Sequence, residues 1–170
     1  MKTATLANQL YRSRIDLSET TRGKSIAVLN RLVATCLDLY SQVKQAHWNV
    51  KGKDFYQLHL LFDDVAATVF EPIDLLAERV TALGGAALGT VRDSATFTLL
   101  PIYPSTEEMN EVDHLNAVAD RMAIFAKALR EGMDRTDSWN DQSTNDILTQ
   151  VSREVDKKLW FVEAHLQRRM

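Results

Sequence analysis

FYQLHLLFDDVAATVFEPIDLLAERVTALGG, residues 55–85, is the stretch whose reading decides the fold. Phe55, Leu58, Phe62, Ala66, Val69, Ile73, Leu76, Val80 and Leu83 recur at steps of three and four, the period of an amphipathic helix. Asp54 stands where an N-cap is needed, and Gly84 with Gly85 ends the pattern. Pro72 lies inside the helix, where its missing N–H predicts a kink or a local accommodation. A buried helix with a single apolar face needs partners, so the rest of the chain must supply them.

Upstream, Ile26, Leu29, Val33, Leu37, Tyr40, Val43, His47 and Val50 mark a helix ending near Gly52. Downstream, residues 86–104 form a long connection with small residues, Pro101 and Pro104, and room for one short helix. A third helix is predicted from Ser105 or Thr106 to about Glu131, through Val112, Leu115, Val118, Met122 and Phe125. Asp134 to Asn145 reads as a polar loop, and a fourth helix runs from about Thr144 to the C-terminus. Residues 1–22 read as a polar, weakly basic N-terminal tail, leaving 23–170 as one helical domain. Four helices joined by a short, a long and a short connection give an all-α, ferritin-like four-helix bundle, its crossover between helices two and three.

Composition agrees with one soluble domain. The 170 residues are 45% hydrophobic and 25% charged, enough to build a core without a membrane span. One cysteine, Cys36, excludes an internal disulfide framework and any CxxC motif. A net charge of -3 argues against a chain whose whole surface is shaped for nucleic acid. The expected location is the cytoplasm.

The residues off the apolar stripe carry the chemistry. His59 and Asp63 are four apart, as are Asp74 and Glu78, so each pair shares a helical face. With His59 at zero on the helical wheel, Asp63 falls near 40°, Asp74 near 60° and Glu78 near 100°, while the core stripe centres roughly 115° away. The same sector holds Leu60, Ala67, Phe70 and Ala77, so a second face of this helix is expected to be buried, and by a partner. His59 and Glu78 are ~28 Å apart along a straight helix, too far to hold one ion within one chain. Two copies placed antiparallel about a two-fold axis bring His59 opposite Glu78 and Asp63 opposite Asp74 in a single register, giving two identical sites shared between chains. His47, on the preceding helix, would complete each. Imidazole with carboxylate suits iron, zinc or manganese.

The stretch KQAHWNVKG (residues 44–52), the FYQLHLLFDD and DLLAERVTALGG segments that follow, and the C-terminal SREVDKKLWFVEAHL resemble the Dps family of bacterial mini-ferritins. The resemblance implies a hollow homododecamer. It implies a ferroxidase that oxidises Fe(II), preferentially with hydrogen peroxide, at di-iron sites between two-fold-related subunits, and stores ferric mineral as protection against oxidative damage. His47, His59, Asp63, Asp74 and Glu78 match the family's ligand positions, with Zn or other divalent metals as substitutes for iron. Trp48 matches the aromatic beside the site; it either quenches a stray oxidising equivalent or is an ordinary core aromatic.

The resemblance also carries an alternative: a nucleoid-associated, DNA-compacting scaffold, with Lys2, Arg12 and Arg14 as candidate contacts and the chain's acidic balance against it. Asp141 and Asp146, in the acidic stretch, are candidates for an ion pore at a three-fold axis. Glu111 and His114 spell ExxH, but a bundle-core di-iron site needs two such motifs, so they read as a surface pair at a helix start.

Overall fold

A computed structural model of the chain describes residues 10–167. Among these, five helices carry the fold: α1 Glu19–Asn49, α2 Phe55–Ala82, α3 Val91–Phe97, α4 Glu111–Ser138 and α5 Gln142–Glu163. Contacts at the two ends fix their directions. Glu111, at the start of α4, accepts a hydrogen bond from the backbone N–H of Asp54, at the start of α2 (2.6 Å). At the opposite end Arg79, in the last turn of α2, reaches Asp141 at the start of α5 (2.8 Å). Thus α2 and α4 run one way and α1 and α5 the other, and the segment carrying α3 must travel the length of the bundle. This is the ferritin-like four-helix bundle with its long crossover after the second long helix. Phe62, Leu76, Met122, Phe125, Leu129 and Leu148 are fully buried between the four long helices.

The helix boundaries differ from the sequence reading for identifiable reasons. α1 starts at Glu19, where Ser18 caps it by accepting from the Thr21 N–H (3.0 Å). The boundary at residue 22 therefore falls inside a helix. From Leu10 onward the supposed tail is a strap: Leu10, Ile15 and Leu17 pack on the core, and the Tyr11 N–H donates to the Gly84 carbonyl (2.7 Å). Arg22 is buried and donates to the Leu83 carbonyl at the end of α2 (2.7 Å). Gly84, at φ +87°, is required here, since a Cβ would stand 2.6 Å from the Tyr11 carbonyl oxygen.

α4 starts at Glu111 rather than at Ser105 or Thr106, because Asn110 and Asp113 form a reciprocal capping box. It continues past Glu131 to Ser138, so the polar loop shrinks to a tight turn before Asp141 caps α5. Pro72 leaves α2 continuous. Its ring removes one hydrogen bond of the helix ladder and crowds the turn before it, and the buried Cys36 thiol donates to the Val69 carbonyl in that turn (2.9 Å). No helix among the described residues is long and apolar enough to cross a membrane.

Candidate metal centre

The short turn between α1 and α2 sets His47, in the last turn of α1, against His59, in the second turn of α2. Their rings stack with centroids 3.7 Å apart. Nδ1 of His47 lies 2.8 Å from the His59 carbonyl oxygen, and Nδ1 of His59 lies 2.9 Å from the His47 carbonyl oxygen. A carbonyl only accepts, so both Nδ1 atoms carry a proton, and Nε2 is the nitrogen each ring has left for ligation. A backbone carbonyl holding the far nitrogen is the usual way a histidine is oriented to ligate a metal.

Asp63 joins them one turn along α2, its Oδ1 4.0 Å from Nδ1 of His47. Lys44, one turn before His47, donates to the same oxygen at 2.7 Å. That hydrogen bond, opposed weakly by burial, holds the Asp63 carboxyl below the ordinary aspartate range. Two imidazoles and an ionised carboxylate make a nitrogen–oxygen donor set of the kind that suits a first-row divalent ion. Among the described residues no group of three acidic, histidine or cysteine side chains is close enough to enclose an ion within one chain.

Asp74 and Glu78 are exposed toward the other end of α2. The chain brings together His47, His59 and Asp63 and leaves Asp74 and Glu78 apart. The face joining the two groups is open: Leu60 is 49% and Phe70 57% exposed in the single chain. The second face expected to be buried is therefore apolar and largely open among the described residues.

Residues 26–170 match the family model described as a ferritin-like domain. The chain is 39% identical over 157 residues to the DNA protection during starvation protein of Agrobacterium fabrum, covering 92% of this chain and 96% of that one. It belongs to the Dps family. Iron storage and protection are the general province of that ferritin-like family. General stress protein 20U of Bacillus subtilis is 31% identical over 83% of this chain and 96% of its own length. Among solved structures, DpsC from Streptomyces coelicolor aligns with a TM-score of 0.88 and 32% identity over 100% of this chain and 98% of that one.

The other candidate residues of this Dps-family chain fall outside that cluster. Trp48 is 66% exposed, so it is no core aromatic within the chain, and the Lys44 ammonium stands 6.0 Å from its ring centre. Asp141 is buried and fully engaged, accepting from Arg79 and from the Thr144 hydroxyl (2.6 Å). Burial pushes its carboxyl up, but the hydrogen bonds from Thr144 and Arg79 outweigh it and the carboxyl is held low. Within the chain it acts as a helix cap and ion-pair partner. Asp146 is exposed on the first turns of α5.

Arg12 and Arg14 are exposed on the strap, and Lys2 lies outside the described residues. His114, expected at the surface, is fully buried, whereas Glu111 reaches back to the α1–α2 turn. Sequence reasoning did not single out Lys44. Its i, i+3 spacing to His47 was the available signal.

Proposed function

We propose that this protein is a ferroxidase and iron-storage subunit that oxidises Fe(II) with hydrogen peroxide at sites shared between two copies. The carrying observation is the pair of interlocked histidines, whose Nδ1 atoms are both consumed by backbone carbonyls and whose Nε2 atoms have no hydrogen bond among the described residues. In this reading His47, His59 and Asp63 of one copy face Asp74 and Glu78 of the next, across the apolar face that carries Leu60 and Phe70. Twelve such subunits close into the hollow shell of the family.

Fe(II) is the substrate, bound as a pair. Each iron gives one electron, peroxide accepts both as its O–O bond breaks, and water completes the hydrated ferric oxide with release of protons. Taking both electrons together avoids the one-electron route to hydroxyl radical. The carboxylates favour the ferric product because hard anionic oxygen binds Fe(III) more strongly than Fe(II). Imidazole ligands bring no negative charge of their own, so they keep the site from accumulating so much that product cannot leave.

The test is anaerobic loading with Fe(II) followed by peroxide. The expected result is oxidation much faster than in protein-free buffer, with iron remaining soluble. Iron that precipitates at the protein-free rate overturns the reading. Zn(II) takes the same nitrogen and oxygen donors without redox chemistry, so prior zinc loading is expected to suppress the reaction.

DNA binding is the second reading, favoured by the exposed Arg12 and Arg14 on the strap and opposed by the net charge of -3. In a multimer such arms act together. A low-salt mobility shift abolished by Arg12→Ala/Arg14→Ala supports it, and a shift that these changes leave intact removes the strap from the argument.

A further inference from the structure

The ExxH residue His114 has no part in the site above, yet the fold buries it completely. Its Nδ1 lies 2.9 Å from the Tyr103 hydroxyl, across the junction between the crossover and α4. Its Nε2 is sealed from solvent and has no hydrogen-bond partner among the described residues. An imidazole with one nitrogen stranded is a poor choice for filling space, since an apolar side chain would do so without the desolvation cost. Burial accordingly lowers the basicity of His114, with a smaller opposing pull from Asp113. The pair is held from outside: Arg121 places its guanidinium 5.2 Å from the centre of the Tyr103 ring and ties the crossover through the Ile102 carbonyl (2.8 Å) and Gln42.

A phenol in this position has one chemical opportunity. Burial pushes Tyr103 well above the range in which a phenol ionises, despite Arg121 nearby, so no phenolate forms at neutral pH. Removing an electron from a neutral phenol makes its O–H strongly acidic, and the electron leaves readily only if a base is already hydrogen-bonded to take the proton. With its ring proton on Nε2, His114 accepts the Tyr103 O–H at Nδ1 and is such a base, in place and shielded from water. No hydrogen bond to a side-chain base is found for Tyr11, Tyr40 or Tyr56 among the described residues.

We propose that Tyr103 and His114 form a proton-coupled electron donor that absorbs single oxidising equivalents. An oxygen-centred one-electron oxidant such as hydroxyl radical takes one electron and one solvent proton and becomes water. Tyr103 loses that electron, its O–H bond breaks, and the proton moves to Nδ1 of His114, leaving a neutral phenoxyl radical hydrogen-bonded to an imidazolium. A one-electron reductant of the thiol or ascorbate class returns the electron, and the proton goes back to the phenol oxygen. This activity does not rest on the ferroxidase reading, because it uses neither the histidine pair of α1 and α2 nor iron.

The experiment generates one-electron oxidants in the iron-free assembled protein by pulse radiolysis and freeze-quenches it for electron paramagnetic resonance. The expected result is a persistent tyrosyl radical that, in deuterated buffer, shows one exchangeable deuteron hydrogen-bonded to the phenoxyl oxygen. Tyr103→Phe is expected to remove most of the persistent signal, at least fivefold, while Tyr40→Phe leaves it unchanged. His114→Gln keeps a hydrogen-bonding side chain but removes the base, and is expected to lower the yield and abolish the deuteron coupling. Thermal melts of both variants show whether the fold survives. If Tyr103→Phe or His114→Gln fails to fold, the deuteron coupling in the wild-type protein still decides. A radical that persists in Tyr103→Phe, a wild-type radical without the coupled deuteron, or no persistent tyrosyl radical at all overturns the proposal.

Discussion

The two ends of α2 carry similar candidate ligands and treat them in opposite ways. At the N-terminal end, His59 is locked to His47 by two backbone hydrogen bonds and Asp63 is held by Lys44. At the C-terminal end, Asp74 and Glu78 stand exposed, and the anchored residue is their neighbour Arg79, turned inward to Asp141 and Thr144. One end has its nitrogen donors fixed before any metal arrives; the other offers free anionic oxygen. A centre complete within one chain has no reason to divide its preorganised donors from its charge by most of a helix. The division makes sense if each end is half of a site and the apolar face between them is where two copies meet.

Mixing tests this division most severely. A His47→Ala/His59→Ala chain and an Asp74→Ala/Glu78→Ala chain are each expected to lose Fe(II) oxidation by about 100-fold or more, since each spoils every site in its own assembly. Co-assembled, each mixed pair contains one site with both lesions and one with none, so activity returns at up to half the sites of the mixed pairs. A centre built within one chain stays inactive in every combination. Stopped-flow oxidation assays, with co-assembly verified by mass spectrometry, separate the two outcomes.

The C-terminal end can be loosened without touching either candidate carboxylate. Asp141→Asn keeps an oxygen for the helix cap but removes the charge facing Arg79, and is expected to cost about 2–3 kcal/mol of stability, just under the range for a fully sealed pair. The folded carboxyl is held below its ordinary value, so its contribution is complete above the ordinary aspartate value, about pH 4. It is lost as pH falls through the lower folded value, and Asp141→Asn should flatten the stability curve in that acid window. Urea melts across acid pH give both numbers.

The contrast between the two ends was partly legible in the sequence. The helical period placed His59, Asp63, Asp74 and Glu78 on one face because spacing along a single helix is fixed by geometry. The histidine lock was not legible, since it depends on the axial register of α1 against α2. That register is set in the turn at Gly52 and Asp54, where Glu111 arrives from a distant part of the chain. The cap at Asn110 was passed over for the Ser105–Glu108 stretch, which offers the same residue types without the tertiary contact that chooses between them. Asp141 reads in the sequence as a pore candidate beside Asp146, although Thr144 three residues on marks a cap. Its burial comes from Arg79, which no local pattern reveals.

The face between the two ends can be broken in its turn. Phe70 touches Tyr40 across 5.2 Å and is otherwise open, so Phe70→Glu should leave the helical content of a single chain unchanged. Placed in the centre of an apolar contact, the charge is expected to weaken association by about 2 kcal/mol per interface, roughly 30-fold. Sedimentation on dilution should then show smaller species than the wild type at the same concentration. An unchanged mass would mean that this face is not where the copies meet.

Lys44 offers the smallest and most informative perturbation, because it acts on one end of α2 alone. Its ammonium holds Oδ1 of Asp63, a proposed ligand beside the histidine pair, at 2.7 Å. On the proposed reading an incoming Fe(II) displaces that cation, and the cost is modest because the Asp63 side chain is 56% exposed and the pair is screened by water. Lys44→Met keeps an unbranched stem of similar length and removes the competitor, so Fe(II) binding is expected to tighten by no more than about fivefold, the range of an exposed ion pair. The same change removes the hydrogen bond that holds the Asp63 carboxyl low. The carboxyl therefore protonates at a higher pH than in the wild type, and binding is lost earlier as the solution is acidified. Tighter binding at neutral pH together with an acid limb displaced upward is the pattern expected if Asp63 is a ligand. A Lys44→Met titration that leaves both the affinity and the acid limb unmoved would mean that Asp63 answers only to Lys44, and that the preorganised end of α2 is the histidine pair alone.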